Sequence, residues 1–200
     1  MFKRLMLIGL LIVSAVVIFE TNAHAGSIAG FSFKCCSEVE GLIDLRGVPN
    51  PDTKPTVVIV GASFLAIEVL CLNPAGHIVP GVPGQLKIAT GNQVDKGDIV
   101  SRGRALVPVT LPFAETDATC VNSNWIPNSA VVTDMLVTIQ WFRCQGGDLT
   151  DNDPCFDDTT PTIGTTPVDS VTAECILDPV LRNPDGTVVH GQVMDCVEVN

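Results

Sequence analysis

Residues 55–90 read P-T-V-V-I-V (55–60), G-A-S (61–63), F-L-A-I-E-V-L-C-L (64–72), N-P-A-G-H-I-V-P-G (73–81) and, from 85, Q-L-K-I-A-T. Between positions 57 and 72 the only charge is Glu68. That run is shorter than the roughly 20 residues a membrane-spanning helix needs, so it belongs inside a folded domain. The small residues Gly61, Ala62 and Ser63 read as a break between two buried strands, 57–60 and 64–72. The second of these would also serve as two turns of helix. Its β-branched flanks and the reversing turn that follows favour a strand.

The turn has an echo. N-P-A-G-H-I-V-P-G (73–81) and N-P-D-G-T-V-V-H-G (183–191) share the pattern N-P-x-G-x-[IV]-V-x-G. Proline presets φ at the second turn position and glycine supplies the last one, so each copy is expected to send the chain back into a returning strand. No fixed-period repeat accompanies the echo elsewhere.

Working outward, 26–33 reads as a lead-in or first edge strand and 39–45 as a short strand. Residues 85–90 and 104–111 alternate apolar with polar, and Pro108 favours a sheet edge. The clearest alternation lies in 131–143. There Met135, Val137, Ile139 and Trp141 share one face, while Asp134, Thr138 and Gln140 share the other. The stretch 146–167 has loop composition and is where the domain would subdivide. Residues 171–177 read as a strand, or as a short helix capped by Asp169 or Ser170 and ending before Pro179. A last strand is expected over 187–199. Eight or nine short strands without an alternating helix pattern predict an all-β fold, an antiparallel β-sandwich, Ig-like or similar.

Residues 1–25 have the layout of a cleaved signal peptide: basic Lys3 and Arg4, an apolar run over 5–19, and Ala23-His24-Ala25 before Gly26. Without them 175 of the 200 residues remain, as one domain over 26–200. Lys3, Arg4 and Glu20 leave with the signal, so the balance becomes 9 basic to 21 acidic residues. An acidic surface of this kind argues against nucleic acid and against anionic lipid as partners.

All eight cysteines lie after the signal, which reads as a disulfide framework formed in an oxidising compartment, secreted or periplasmic. No C-x-x-C pair supports zinc. Cys35 and Cys36 are adjacent and would point to opposite faces of a strand, so each is expected to seek a different distant partner. Cys144–Cys155 is expected to close the acidic loop, and Cys175–Cys196 to join the two final strands.

Two places could hold chemistry. Val57–Val60 followed by Gly61-Ala62-Ser63 resembles the start of a nucleophile elbow, and His190 lies downstream with aspartates between. Leu65 stands where the elbow needs a small residue, and the βα alternation of a hydrolase is missing. A bulge or turn is the simpler reading of Ser63. In the acidic loop, Asp148, Asp151, Asp153, Asp157 and Asp158 could supply several of the roughly six to eight oxygens calcium takes. The spacing is not an EF-hand, and solvated surface is the plainer reading. The expectation is an exported, non-enzymatic structural or binding module with no cofactor, calcium apart. The alternatives are a surface-assembly subunit pairing through strand edges, with itself or a protein partner, and a serine hydrolase using Ser63.

Overall fold

The computed structural model describes residues 26–35, 38–50, 56–113, 119–143, 156–157, 160–161 and 166–199. The signal-like residues 1–25 lie outside this set. So do Cys36, Cys144 and Cys155.

The described chain is all-β and antiparallel. Its strands are β1 (Ser27–Lys34), β2 (Val39–Arg46), β3 (Thr56–Leu72), β4 (Ile78–Pro80), β5 (Gly84–Gln93), β6 (Ile99–Ser101), β7 (Arg104–Leu111), β8 (Ile126–Arg143), β9 (Phe156–Asp157), β10 (Thr160–Pro161), β11 (Asp169–Ile176) and β12 (Asp195–Glu198). One sheet has the order β1-β2-β7-β6. A six-stranded sheet runs β12-β11-β8-β3, with β5 and then β4 on the far side of β3. β9 and β10 form a separate two-stranded ladder. Among the described residues no helix is long and apolar enough to cross a membrane.

The expected break at Gly61-Ala62-Ser63 is not there. β3 runs unbroken through these residues, with Ser63 opposite Leu136 on one side and Lys87 on the other. Small residues carry weak strand propensity, but here the backbone is hydrogen-bonded on both flanks, and that pairing overrides local preference. The bulges fall after Phe64, where registry to both neighbours slips. Nor is there a helix at 169–177: Asp169–Ile176 pairs with β8 along its whole length.

Alternation fixes the register. Met135, Val137, Ile139 and Trp141 are buried, as are Ile43 and Leu45 of β2 and Ala105, Val107, Val109 and Leu111 of β7. These residues of the two main sheets belong to one apolar cluster. A one-residue slip of β7 would turn all four of its buried side chains to water. Each larger one is worth about 1.5–3 kcal/mol when buried, so the slip is strongly disfavoured. Pro108 sits where β7 has β2 on one side and has already passed the end of β6. This is the edge position its missing N–H suits.

The returning strand expected over 187–199 is shorter, because its backbone serves two sheets in turn. Gly191 N–H donates to Cys35 C=O (2.8 Å), Cys35 N–H to Gln192 C=O (3.0 Å) and Met194 N–H to Phe33 C=O (2.9 Å). From Asp195 the same segment becomes β12 and pairs with β11. The other part of the β1 edge is capped by a side chain, with Ile28 N–H donating to Asp169 Oδ2 at 2.8 Å.

Two disulfides are seen among the described residues, Cys71–Cys120 and Cys175–Cys196. The second joins β11 to β12 at directly opposed positions. Cys35 is also disulfide-bonded.

Candidate functional site

The two N-P-x-G turns fold alike. In the first, Gly76 N–H donates to Asn73 C=O (2.9 Å) and Asn73 N–H to His77 C=O (3.0 Å). In the second, Gly186 N–H donates to Asn183 C=O (2.9 Å) and Asn183 N–H to Thr187 C=O (2.8 Å). Gly76 and Gly186 sit at φ +79° and +85°, the left-handed region that excludes most side chains. The polar side chains divide the work differently. Asn73 Oδ1 accepts from the N–H groups of Ala75 and His77. In the second turn Asp185 Oδ1 takes the Thr187 hydroxyl (2.6 Å) and N–H (3.0 Å). Those two bonds from Thr187 hold the Asp185 carboxyl below its ordinary range.

The turns also meet. Arg182 Nη2 reaches Glu68 Oε1 on β3 at 2.5 Å. A side chain placed on Gly186 would stand 3.4 Å from Ile78 Cδ1, just beyond the first turn. Val69 and Cys71 point into the core, whereas Leu70 is 8 % exposed yet lies outside the core cluster. Leu70 shares the outer face of β3 with Glu68, the residue that Arg182 reaches. Gln192 locks the second hairpin from behind. Its Oε1 accepts from Leu181 N–H (2.7 Å), and its Nε2 donates to Leu181 C=O (3.1 Å) and Val189 C=O (2.7 Å).

Between its polar turn residues this end of the molecule also exposes apolar side chains. Ile126, Leu72 and Ile78 are neighbours across β8, β3 and β4. Val121 is 70 % exposed, Ile126 67 % and Leu181 54 %. Val121 follows Cys120, whose bridge to Cys71 ties the 119–125 segment to β3. His77 and His190 are exposed beside the two turns.

No protein-family model, curated protein or solved structure matches the chain.

The other sequence candidates are placed as follows. Ser63 is half-buried in the middle of β3, not in a turn, so the strand–turn–helix geometry of an elbow is not formed around it. A shallow depression of about 270 Å³ beside it is lined by Phe64, Leu65, Gln85, Leu86 and Lys87. His190 belongs instead to the second hairpin segment. Asp148, Asp151, Asp153 and Asp158 lie outside the described residues, as does the pairing read for Cys144 and Cys155. Asp157 contributes its backbone to β9, opposite Thr160. Among the described residues no three His, Cys, Asp or Glu side chains converge as metal ligands.

Among the described residues one ion pair is bidentate. Arg104 meets Asp44 through Nε–Oδ1 and Nη2–Oδ2, both 2.9 Å, with Arg46 Nε 3.4 Å away. The Arg104 hydrogen bonds hold the Asp44 carboxyl below the usual range. Both strands of this pair are visible in the sequence, but their register is not. The same holds for the apolar end: the echo signals two like turns, and only the fold brings them together.

Proposed function

We propose that the chain is an exported, disulfide-stapled β-sandwich, Ig-like or similar, acting as a non-enzymatic binding or structural module through the end that carries the paired hairpins. Two sheets sharing one apolar cluster support the sandwich, and two disulfides suit an oxidising compartment. One observation carries the binding reading: Val121, Ile126 and Leu181 stand exposed on a base braced by Cys71–Cys120 and Arg182–Glu68. Exposed apolar groups on a rigid support mark contact surfaces, because binding them costs little ordering entropy.

A photo-crosslinker at position 126, tested in the cells that make the protein, should give a discrete adduct. Val121→Asp should remove it without altering the melting temperature. Labelling of Ser63 by a fluorophosphonate would replace this reading with a hydrolase.

A second reading, assembly through strand edges, is supported by β5. It is ten residues long, contains no proline, carries Lys87 as its only charge, and among the described residues pairs on one side only. Size-exclusion of the purified chain separates the two, since edge pairing yields concentration-dependent multimers.

A further inference from the structure

We propose that the outer face of the six-stranded sheet docks a basic amphipathic helix of a partner protein. Burial and register fix what this face carries. Phe64, Met135 and Cys175 are buried in the core, so their sequence neighbours Leu65, Asp134, Leu136, Glu174 and Ile176 point the other way. Glu174 stands between Leu136 and Val197, and Ile176 between Asp134 and Asp195. One line across the sheet, from β3 to β12, therefore reads Ser63, Leu136, Glu174, Val197. The next reads Asp134, Ile176, Asp195, with Leu65 at its β3 end beside Ala66, the partner of Asp134. Apolar and acidic side chains alternate along both lines, and the lines are offset by one strand, as on a chequerboard. Leu65, Leu136, Ile176 and Val197, one from each of four adjacent strands, are all exposed.

This pattern gives the partner's chemistry. Neighbouring strands lie about 4.8 Å apart, so the four apolar side chains span about 14 Å. A helix of about ten residues covers that length. A sheet face presents side chains and keeps its backbone groups in the ladder, so an extended strand gains no pairing there. A helix instead lays its apolar stripe on the face, the usual way a sheet is covered. Asp134, Glu174 and Asp195 then match Lys or Arg on the margins of that stripe. Asp134 Oδ1 is enclosed without a hydrogen-bond partner, so a cation seated beside that carboxyl is worth more than one on open surface. Lys87 stands on the far side of Ser63, on β5, and Arg182 is held by Glu68. A second copy fits worse, because it would bring acid against acid in a chain with 22 acidic and 11 basic residues. The surface is separate from the hairpin end and stands whether or not that end binds a partner.

The test is titration of the purified chain, disulfides intact, with two synthetic peptides. One is a leucine–lysine amphipathic helix of about fourteen residues, and the other carries glutamate in place of lysine. The lysine peptide should bind and shift the amide resonances of Leu136, Ile176 and Val197. The glutamate peptide should bind at least about tenfold more weakly. Glu174→Gln combined with Asp195→Asn should weaken the lysine peptide by about tenfold, and so should Ile176→Thr combined with Val197→Thr. Removing the same charge from the other sheet, by Glu38→Gln with Glu40→Gln, should leave its affinity unchanged. An equal loss there would assign the binding to net charge and overturn the proposal. Equal affinity for the two peptides would overturn it too, as would full affinity in the Ile176→Thr, Val197→Thr variant or no binding of the lysine peptide. Shifts confined to Val121, Ile126 and Leu181 would place the peptide at the hairpin end and overturn it equally.

Discussion

Gly26 is buried against the ring of Trp141, and a methyl group there has nowhere to go. Its carbon would fall 1.9 and 2.0 Å from Trp141 Cη2 and Cζ3 and 2.8 Å from the Arg46 carbonyl oxygen. Trp141 cannot yield, being itself fully buried. Gly26→Ala should therefore destabilise by about 1–3 kcal/mol in a denaturant titration, the usual cost of overpacking. Gly61→Ala is the contrast. No atom lies within 4 Å of the added carbon, so the substitution should be neutral or stabilise by up to about 1 kcal/mol through the unfolded state. A second residue-scale prediction concerns pH. The Asp44 carboxyl is held below its ordinary value near ~4, so its contribution is present above that value. It is lost as pH falls through the lower folded-state value. Asp44→Asn should thus be less stable than the parent at neutral pH, and the gap should close under more acidic conditions. A gap that persists at low pH would assign the loss to packing.

At the scale of elements, one side chain braces the second hairpin from behind. Gln192 is 8 % exposed and satisfies one N–H and two C=O groups of the segment it supports. Gln192→Ala removes these three bonds and takes the acceptor from Leu181 N–H, at a cost of about 1–3 kcal/mol, while Leu181 C=O keeps the Val189 N–H at 3.0 Å. Amide exchange should quicken at Leu181 and Val189 while Ile139, deep in β8, stays protected; uniform quickening would instead mean global destabilisation. This dependence also marks the limit of what the sequence shows. The Met135–Trp141 alternation and the N-P-x-G turns were legible because their signals are local. The continuity of β3 was not, since Gly61, Ala62 and Ser63 look like a break until β8 and β5 pair with them. The 64–72 stretch lacked alternation because Leu70 is buried on one face and Val69 and Cys71 on the other. The apolar end was illegible for the same reason: Arg182–Glu68 joins residues far apart in the chain.

At the scale of the whole molecule, the two disulfides seen among the described residues should differ in weight. Cys71–Cys120 spans 49 residues and Cys175–Cys196 spans 21, which the chain-entropy model converts to about 4 and about 3 kcal/mol. Paired Cys→Ala variants, measured by reversible denaturation, should keep that order. The segment 191–198 has a different kind of importance, which concerns time. It is made long after β1, yet it supplies the hydrogen-bond partners of Phe33 and Cys35. That part of the β1 edge therefore waits until residues 191–194 have emerged. A nascent protein stalled before Gly191 should remain protease-sensitive around β1, and release of the remaining residues should protect it. The edge of β1 at Phe33 and Cys35 is therefore locked only once residues 191–194 are delivered.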